Sequence, residues 1–134
     1  MSLSKKMSVN RAANRSVGIL GEEAALKFFK SDGYRVLERN YRVSCGEIDL
    51  ILEKERELVF VEVKARRSSR YGLPQEAVVS TKQQRIMRAA QWYVQNKRLY
   101  DRVMRFDVLA VMFKEGGGYE INHIPFAFDA TDAF

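Results

Sequence analysis

The sequence predicts an α/β or α+β sandwich around a mixed sheet, from two stretches of helical apolar period, five stretches of strand character, and their order: helix, three strands, helix, two strands. In the first helix Ser16 is a fitting N-cap for VGILGEEAALKFFKSDGY. Leu20, Ala24 and Phe28 lie on one stripe with Ala25 and Phe29 beside it, and Gly33 supplies a left-handed residue at the end. YRVLERNYRV reads as a strand, followed by a turn near Ser44, Cys45 and Gly46 and a second strand, EIDLILEK. A polar turn at 55–57 leads into LVFVEVKAR, which has strong β-propensity and should pair with the second strand as an antiparallel hairpin. RRSSRYGLPQEAVVS has no period and reads as an ordered surface loop. Ser80 or Thr81 caps the helix KQQRIMRAAQWYVQNK, whose apolar stripe is Ile86, Ala90, Tyr93 and Val94, with Trp92 assigned to packing as well. RFDVLAVMF is a fourth strand, the glycines at 116–118 form a hairpin turn, and YEINHIPFAF is a fifth strand or edge segment.

A chain of 134 residues with 46% apolar and 30% charged residues fits one folded domain with its own core. Residues 1–15, with Lys5, Lys6, Arg11 and Arg15, read as a flexible basic arm, and Met7 is a candidate start behind a vector-derived leader. Residues 16–134 form the domain. No apolar run reaches the roughly 20 residues that span a bilayer, and the N-terminus lacks the apolar core of a secretory signal, so the protein is read as cytoplasmic. A single cysteine, Cys45, excludes an internal disulfide, and a single histidine, His123, argues against zinc. A Cys45–His123 nucleophilic pair has only the presence of both residues in its favour. Lys plus Arg outnumber Asp plus Glu by 23 to 17, and the net charge of +6 favours polyanionic partners, nucleic acid first among them.

Charged residues interrupt the apolar second and third strands. Alternation puts Ile48, Leu50 and Leu52 on one face, with Glu47 and Asp49 on the other. In the next strand Val59, Val61 and Val63 share a face, and Phe60, Glu62 and Lys64 the opposite one. Hairpin pairing would then bring Asp49, Glu62 and Lys64 together. Carboxylates so placed repel and are costly to dehydrate. A divalent cation relieves both problems, and Mg²⁺ is commonly held by one or two carboxylates with phosphate oxygens and water. A neighbouring lysine can hold or deprotonate an attacking water, or stabilise charge on a phosphate. The alternative is a solvated strand face with Glu62 and Lys64 as a surface pair. The apolar flanks, DLILE and LVFVEVK, and a third acid, Glu22, after Gly21 favour the site.

GEIDLI followed by VFVEVKAR resembles the divided acidic motif of the PD-(D/E)XK nucleases, with Asp49 and Glu62-Val63-Lys64 at the motif positions. The set GILGEEAA, GYRVLERNYR, GEIDLI, LVFVEVKAR, YGLPQEAV, Lys82, RFDVLAV and HIPFAF, over residues 16–128, is similar to the bacterial YraN-like family. The resemblance implies an α/β, restriction-endonuclease-like core with a mixed five-stranded sheet flanked by helices. It implies Asp49, Glu62 and the Val63 carbonyl as ligands of Mg²⁺ or Mn²⁺, and Lys64 positioning the attacking water. Glu22 matches the helix-borne acid of Holliday-junction-resolvase-like members, with Glu23 the neighbour to be told apart from it. Ile48 stands where the superfamily's name has proline. Gln83 or Gln84 could add a polar contact, Lys82 has the better claim, Asp107 is read as structural and pairing with Arg105 or a helix base, and Glu47 has no assigned role.

The densest basic run, Lys64, Arg66, Arg67 and Arg70, follows the proposed centre, and the second helix adds Lys82, Arg85 and Arg88. Such a flank suits a phosphate backbone; singly, each of these residues is as well explained by solubility. Tyr71 could stack on a base or pack its own loop. With no base-reading motif, recognition by backbone and shape is expected. The expected activity is metal-dependent hydrolysis of phosphodiesters in DNA, including structured or branched DNA, with a homodimer as one arrangement. The alternatives are a nucleic-acid-binding accessory protein that does not cleave and a protein-interaction module.

Overall fold

The computed structural model describes residues 3–68 and 80–128, with side chains from Val17 onward. Helix α1 (Leu3–Ser31) and helix α2 (Ser80–Lys97) cover the two faces of a sheet formed by β1 (Arg35–Val43), β2 (Gly46–Lys54), β3 (Glu57–Arg67), β4 (Val103–Phe113) and β5 (Tyr119–Phe128). The strands lie in the order β1-β2-β3-β4-β5, antiparallel except for β3 and β4, which run parallel with α2 between them in sequence. This is the expected α/β architecture, a five-stranded mixed sheet flanked by helices, and it is consistent with a restriction-endonuclease-like core. Among the described residues no helix is long and apolar enough to cross a membrane.

Each face buries its own cluster. On the α1 side Ala24, Ala25 and Phe29 pack on Leu50, Leu52, Val59, Val61, Leu109 and Val111. On the α2 side Ile86, Met87, Ala90, Tyr93 and Val94 pack on Ile48, Ile51, Leu58, Phe60, Phe106 and Val108. Large aliphatic and aromatic side chains buried to this degree each stabilise the fold by roughly 1.5–3 kcal/mol.

The helices depart from the expected pattern in three places. α1 starts at Leu3, so Ser16 lies inside it; no glycine or proline interrupts the preceding stretch, which is rich in good helix formers. Leu20, expected on the buried stripe, is 45% exposed, because the helix approaches the sheet through Gly21 and Ala25. Trp92, assigned to packing, is 50% exposed on the outer face of α2. The stop is as expected: Gly33 has φ 86°, and the Tyr34 amide donates to the Phe29 carbonyl at 3.0 Å.

Two glycines bring the helices onto the sheet. A Cβ on Gly21 would overlap the Cβ of Ala65 in β3. A Cβ on Gly46 would sit 2.8 Å from the carbonyl carbon of Arg85 and closer still to its oxygen. Gly46 thus opens β2 and also lets the first turns of α2 rest on the strand's backbone.

Candidate functional site

The alternation expected of β2 breaks at Asp49. Leu50 packs with the α1 cluster, whereas Ile48, two residues away, packs with the α2 cluster, so these two do not share a face as expected. The cause lies in β1. Asn40, next to Asp49 across the pair, has φ 49°, a left-handed conformation that asparagine tolerates better than most residues. Arg39, paired with Leu50, reaches the α1 side, while Tyr41, paired with Ile48, stacks edge-on against Tyr93 of α2.

The β2–β3 ladder runs from Lys54 and Glu57 to Leu50 and Val61. Just past it, the Asp49 carboxylate accepts a hydrogen bond from the Val63 amide at 2.8 Å. A side chain therefore takes the place of a ladder bond where the strands part. Glu62, 6% exposed, lies close enough to Asp49 for the two carboxylates to interact, and forms an ion pair with Lys82 from the first turn of α2. Hydrogen bonding to Glu62 in turn raises the Lys82 pKa. Lys64, half-buried, follows Glu62 on the same side by alternation.

Glu22 comes from the other helix. Together with Gly18, Ile19, Asn40, Asp49, Val63 and Ala65 it lines a cavity of about 390 Å³. Its carboxylate accepts from Asn40 Nδ2 at 2.9 Å and from Arg39 Nε at 3.4 Å. Glu23, the neighbour, is exposed. Among the described residues no three of His, Cys, Asp and Glu converge as a metal-holding group. Asp49 and Glu62 nonetheless fit a hard divalent cation: two carboxylates lie within interaction distance of each other in a partly dehydrated spot, and Lys82 pairs with only one of them, Glu62. One or two carboxylates is the usual protein share of a Mg²⁺ site.

Burial first, and the Glu62 charge second, push the Asp49 pKa up to about 7, against a smaller opposing effect of the Val63 amide. The fold therefore holds a proton that the unfolded chain releases near pH 4, so this group's contribution to stability declines as pH rises from about 4 to about 7. A cation held by Asp49 would have to displace that proton. Raising the pH from 6 to 8 should thus enlarge the gain in melting temperature produced by Mg²⁺ or Mn²⁺, and Asp49→Asn should remove the pH dependence of that gain. Equal gains for the wild type at both pH values would contradict the arrangement.

The remaining expected residues are spread around this centre. Arg66 and Arg67 are exposed at the end of β3, and Arg67 lines a cavity of about 400 Å³ with Val17, Leu20 and Phe113. Arg70 and Tyr71 lie outside the described residues. Arg85 lines a smaller cavity with Glu47, Thr81, Lys82 and Ile86 on the α2 side, and Glu47 pairs with Arg42 at 3.3 Å. Gln83 and Gln84 are half-buried. Cys45 sits in the β1–β2 turn and His123 on β5, at opposite edges of the sheet, which excludes their pairing as nucleophile and base.

Asp107 is structural, as expected, but within a larger group than the sequence suggested. Fully buried, it accepts from Arg105 Nε and Nη2 (both 2.9 Å) and from the Phe126 amide (3.2 Å), and bonds His123 Nε2 (2.7 Å). Arg105 also donates to Glu57 and to the Tyr34 hydroxyl, both at 2.8 Å. Burial alone would raise the Asp107 pKa, but the bonds from His123 and Arg105 outweigh it and hold the carboxyl below its usual value. Arg105 and Asp107, two apart on one strand face, were a legible pair; His123 arrives from β5, and no local signal announced it.

A family model described as "Uncharacterised protein family UPF0102" matches residues 21–111. The chain belongs to the UPF0102 family. UPF0102 proteins similar to it include one from Pelobacter propionicus, 46% identical over 124 residues, covering 91% of this chain and 89% of the relative. One from Trichlorobacter lovleyi is 47% identical over 118 residues (87% and 92%), and one from Clostridium perfringens 44% over 116 residues (86% and 95%). The UPF0102 match begins at Gly21 and spans Glu22, Asp49, Glu62, Lys64, Lys82 and Arg85; it ends within β4, before His123.

Proposed function

We propose that this UPF0102 protein is a divalent-metal-dependent nuclease of the PD-(D/E)XK superfamily that hydrolyses phosphodiester bonds in DNA. The observation that carries the reading is the Asp49–Glu62 carboxylate pair at the fork between β2 and β3, with Lys64 two residues beyond Glu62. Asp49 and Glu62 would hold Mg²⁺ or Mn²⁺, with the Val63 carbonyl as a further ligand and Glu22 sharing the cavity with Asp49. The bound cation would supply charge neutralisation for the phosphate and its transition state. Lys64 would orient the attacking water. The Val63 amide fixes the Asp49 carboxylate, so one of the two acids is positioned before any substrate arrives.

The test is a cleavage assay with wild type, Asp49→Ala and Glu62→Ala in Mg²⁺ or Mn²⁺, on linear, flapped, single-stranded and four-way-junction DNA. Cleavage by the wild type should fall at least 100-fold in either variant while the fold is kept, as expected when a preorganised charge at the reacting centre is removed. Undiminished cleavage by both variants would refute the reading.

A second reading, a DNA-binding accessory that does not cleave, is favoured by the ion pair of Lys82 with Glu62 and the grip of Arg39 and Asn40 on Glu22. It would give salt-sensitive binding with no turnover in any of the three proteins.

A further inference from the structure

α2 bears Lys82, Arg85, Arg88 and Lys97 and not one acidic residue along its 18 residues. Its inner face is used up in the core by Ile86, Met87, Ala89, Ala90, Tyr93 and Val94. On the outer face Arg85, Arg88 and Trp92 are all exposed. At about 100° per residue, these three fall within roughly 60° of one another around the axis and span about 10 Å along it. Glu47, the acid that shares a cavity with Arg85, is paired with Arg42 instead. The row is continuous with the carboxylate pair, because Lys82 at its start already touches Glu62.

An exposed tryptophan at the end of a basic helical row suits a flat, apolar partner with negative charge beside it. A nucleic-acid strand offers both, a base face for the indole and phosphates for the guanidinium groups. In a duplex, neighbouring pairs cover the base faces; in a single strand they are open.

We propose that the outer face of α2 is a track for single-stranded DNA, with Arg85 and Arg88 on successive phosphates and Trp92 stacked on a base. The strand then leads along the helix towards Lys82 and the carboxylate pair. The proposal rests on the DNA-binding part of the reading above and not on cleavage.

Trp92 is the chain's one tryptophan, so intrinsic emission reports this position alone. The experiment is a titration, without divalent metal, of wild type, Trp92→Ala, Trp92→Phe, Arg85→Gln and Arg88→Gln with a dye-labelled single-stranded oligodeoxynucleotide and with its duplex. Binding is read from the anisotropy of the label, and stacking from the tryptophan emission of the proteins that keep Trp92. The single strand should quench wild-type emission as it saturates the protein. A base stacked on an aromatic side chain is worth about 1–3 kcal/mol, so Trp92→Ala should weaken single-strand binding roughly 5- to 150-fold. Trp92→Phe should restore most of it, and duplex binding should change less than about twofold. Each arginine variant should lower the salt dependence of single-strand binding by about 0.7 in log–log slope. Saturation without quenching would overturn the track, as would equal losses on duplex and single strand. Emission that changes with protein concentration alone, with a dimer in sedimentation, would also overturn it and assign the face to a second copy of the chain. Quenching without cleavage in the metal assay would leave the track standing and the nuclease reading refuted; cleavage without quenching would do the reverse.

Discussion

Asp107→Ala should cost about 3–5 kcal/mol of folding stability, enough to unfold a large part of the population of a marginally stable domain. The magnitude follows from what the carboxylate leaves behind. The Arg105 side chain is 8% exposed and takes its main compensation from both oxygens of Asp107. With the carboxylate gone, that guanidinium keeps Glu57 and the Tyr34 hydroxyl but loses two charge-assisted bonds, and the Phe126 amide and His123 lose an acceptor. Denaturant unfolding at pH 7 measures the loss; a change below about 1 kcal/mol would mean that the group contributes little. The sign with pH is also fixed. The folded-state pKa of Asp107 lies below its ordinary value, so its contribution is present at neutral pH and fades as the solution is acidified through that lowered pKa. The variant should therefore approach the wild type in stability under acid. The bonds of Asp107 run to Arg105, His123 and Phe126 and not to Asp49 or Glu62, so residual folded Asp107→Ala should respond to Mg²⁺ or Mn²⁺ as the wild type does.

The second large effect is expected at Gly46. A methyl group there meets the main chain of Arg85, which cannot rotate away as a flexible side chain could. The start of α2 must lift from β2, at a cost of about 1–3 kcal/mol as for other overpacked contacts. Such a shift would also carry Lys82 off Glu62, so Gly46→Ala should alter stability and, under the proposed function, cation binding together. Gly21→Ala supplies the contrast. Its obstacle is only the Cβ of Ala65, so the double variant Gly21→Ala with Ala65→Gly should recover most of the loss. No second substitution of that kind can rescue Gly46. Denaturant melts of the three proteins decide it; a wild-type melt for Gly46→Ala would show that the helix is not seated as described.

Much of the architecture was legible because period and punctuation agree along the chain. The 2-residue period in LVFVEVK, the glycine at the end of α1 and the stripe Ile86, Ala90, Tyr93 and Val94 each have a local cause, and each is found. The two acids of the hairpin were legible for the same reason: they break an apolar pattern. What could not be read was the exchange of faces at Asp49, because it depends on the left-handed backbone of Asn40 and on two cores competing for Ile48 and Leu50. The outward position of Trp92 was within reach. It lies seven residues from Arg85 and so shares its side of the helix, but a large aromatic residue next to Tyr93 invited the assignment to packing. The contribution of His123 was out of reach, since it depends on how β5 is carried past β4.

The bends in the outer strands have a further consequence, for how copies of this chain meet one another. β1 and β5 are the outermost strands of the sheet among the described residues, and each is interrupted part-way along: β1 by the shift between Val36 and Glu38 and by Asn40, β5 by Pro125, which has no amide hydrogen, and by Phe126 at φ 53°. The Phe126 amide is moreover already given to Asp107. Neither margin offers a long straight row of donors and acceptors to a neighbour's strand, so sheet-to-sheet polymerisation is obstructed at both ends. The irregularities that aim Asn40 at Glu22 and anchor Arg105 thus also help keep a basic, strand-rich chain from growing into fibrils.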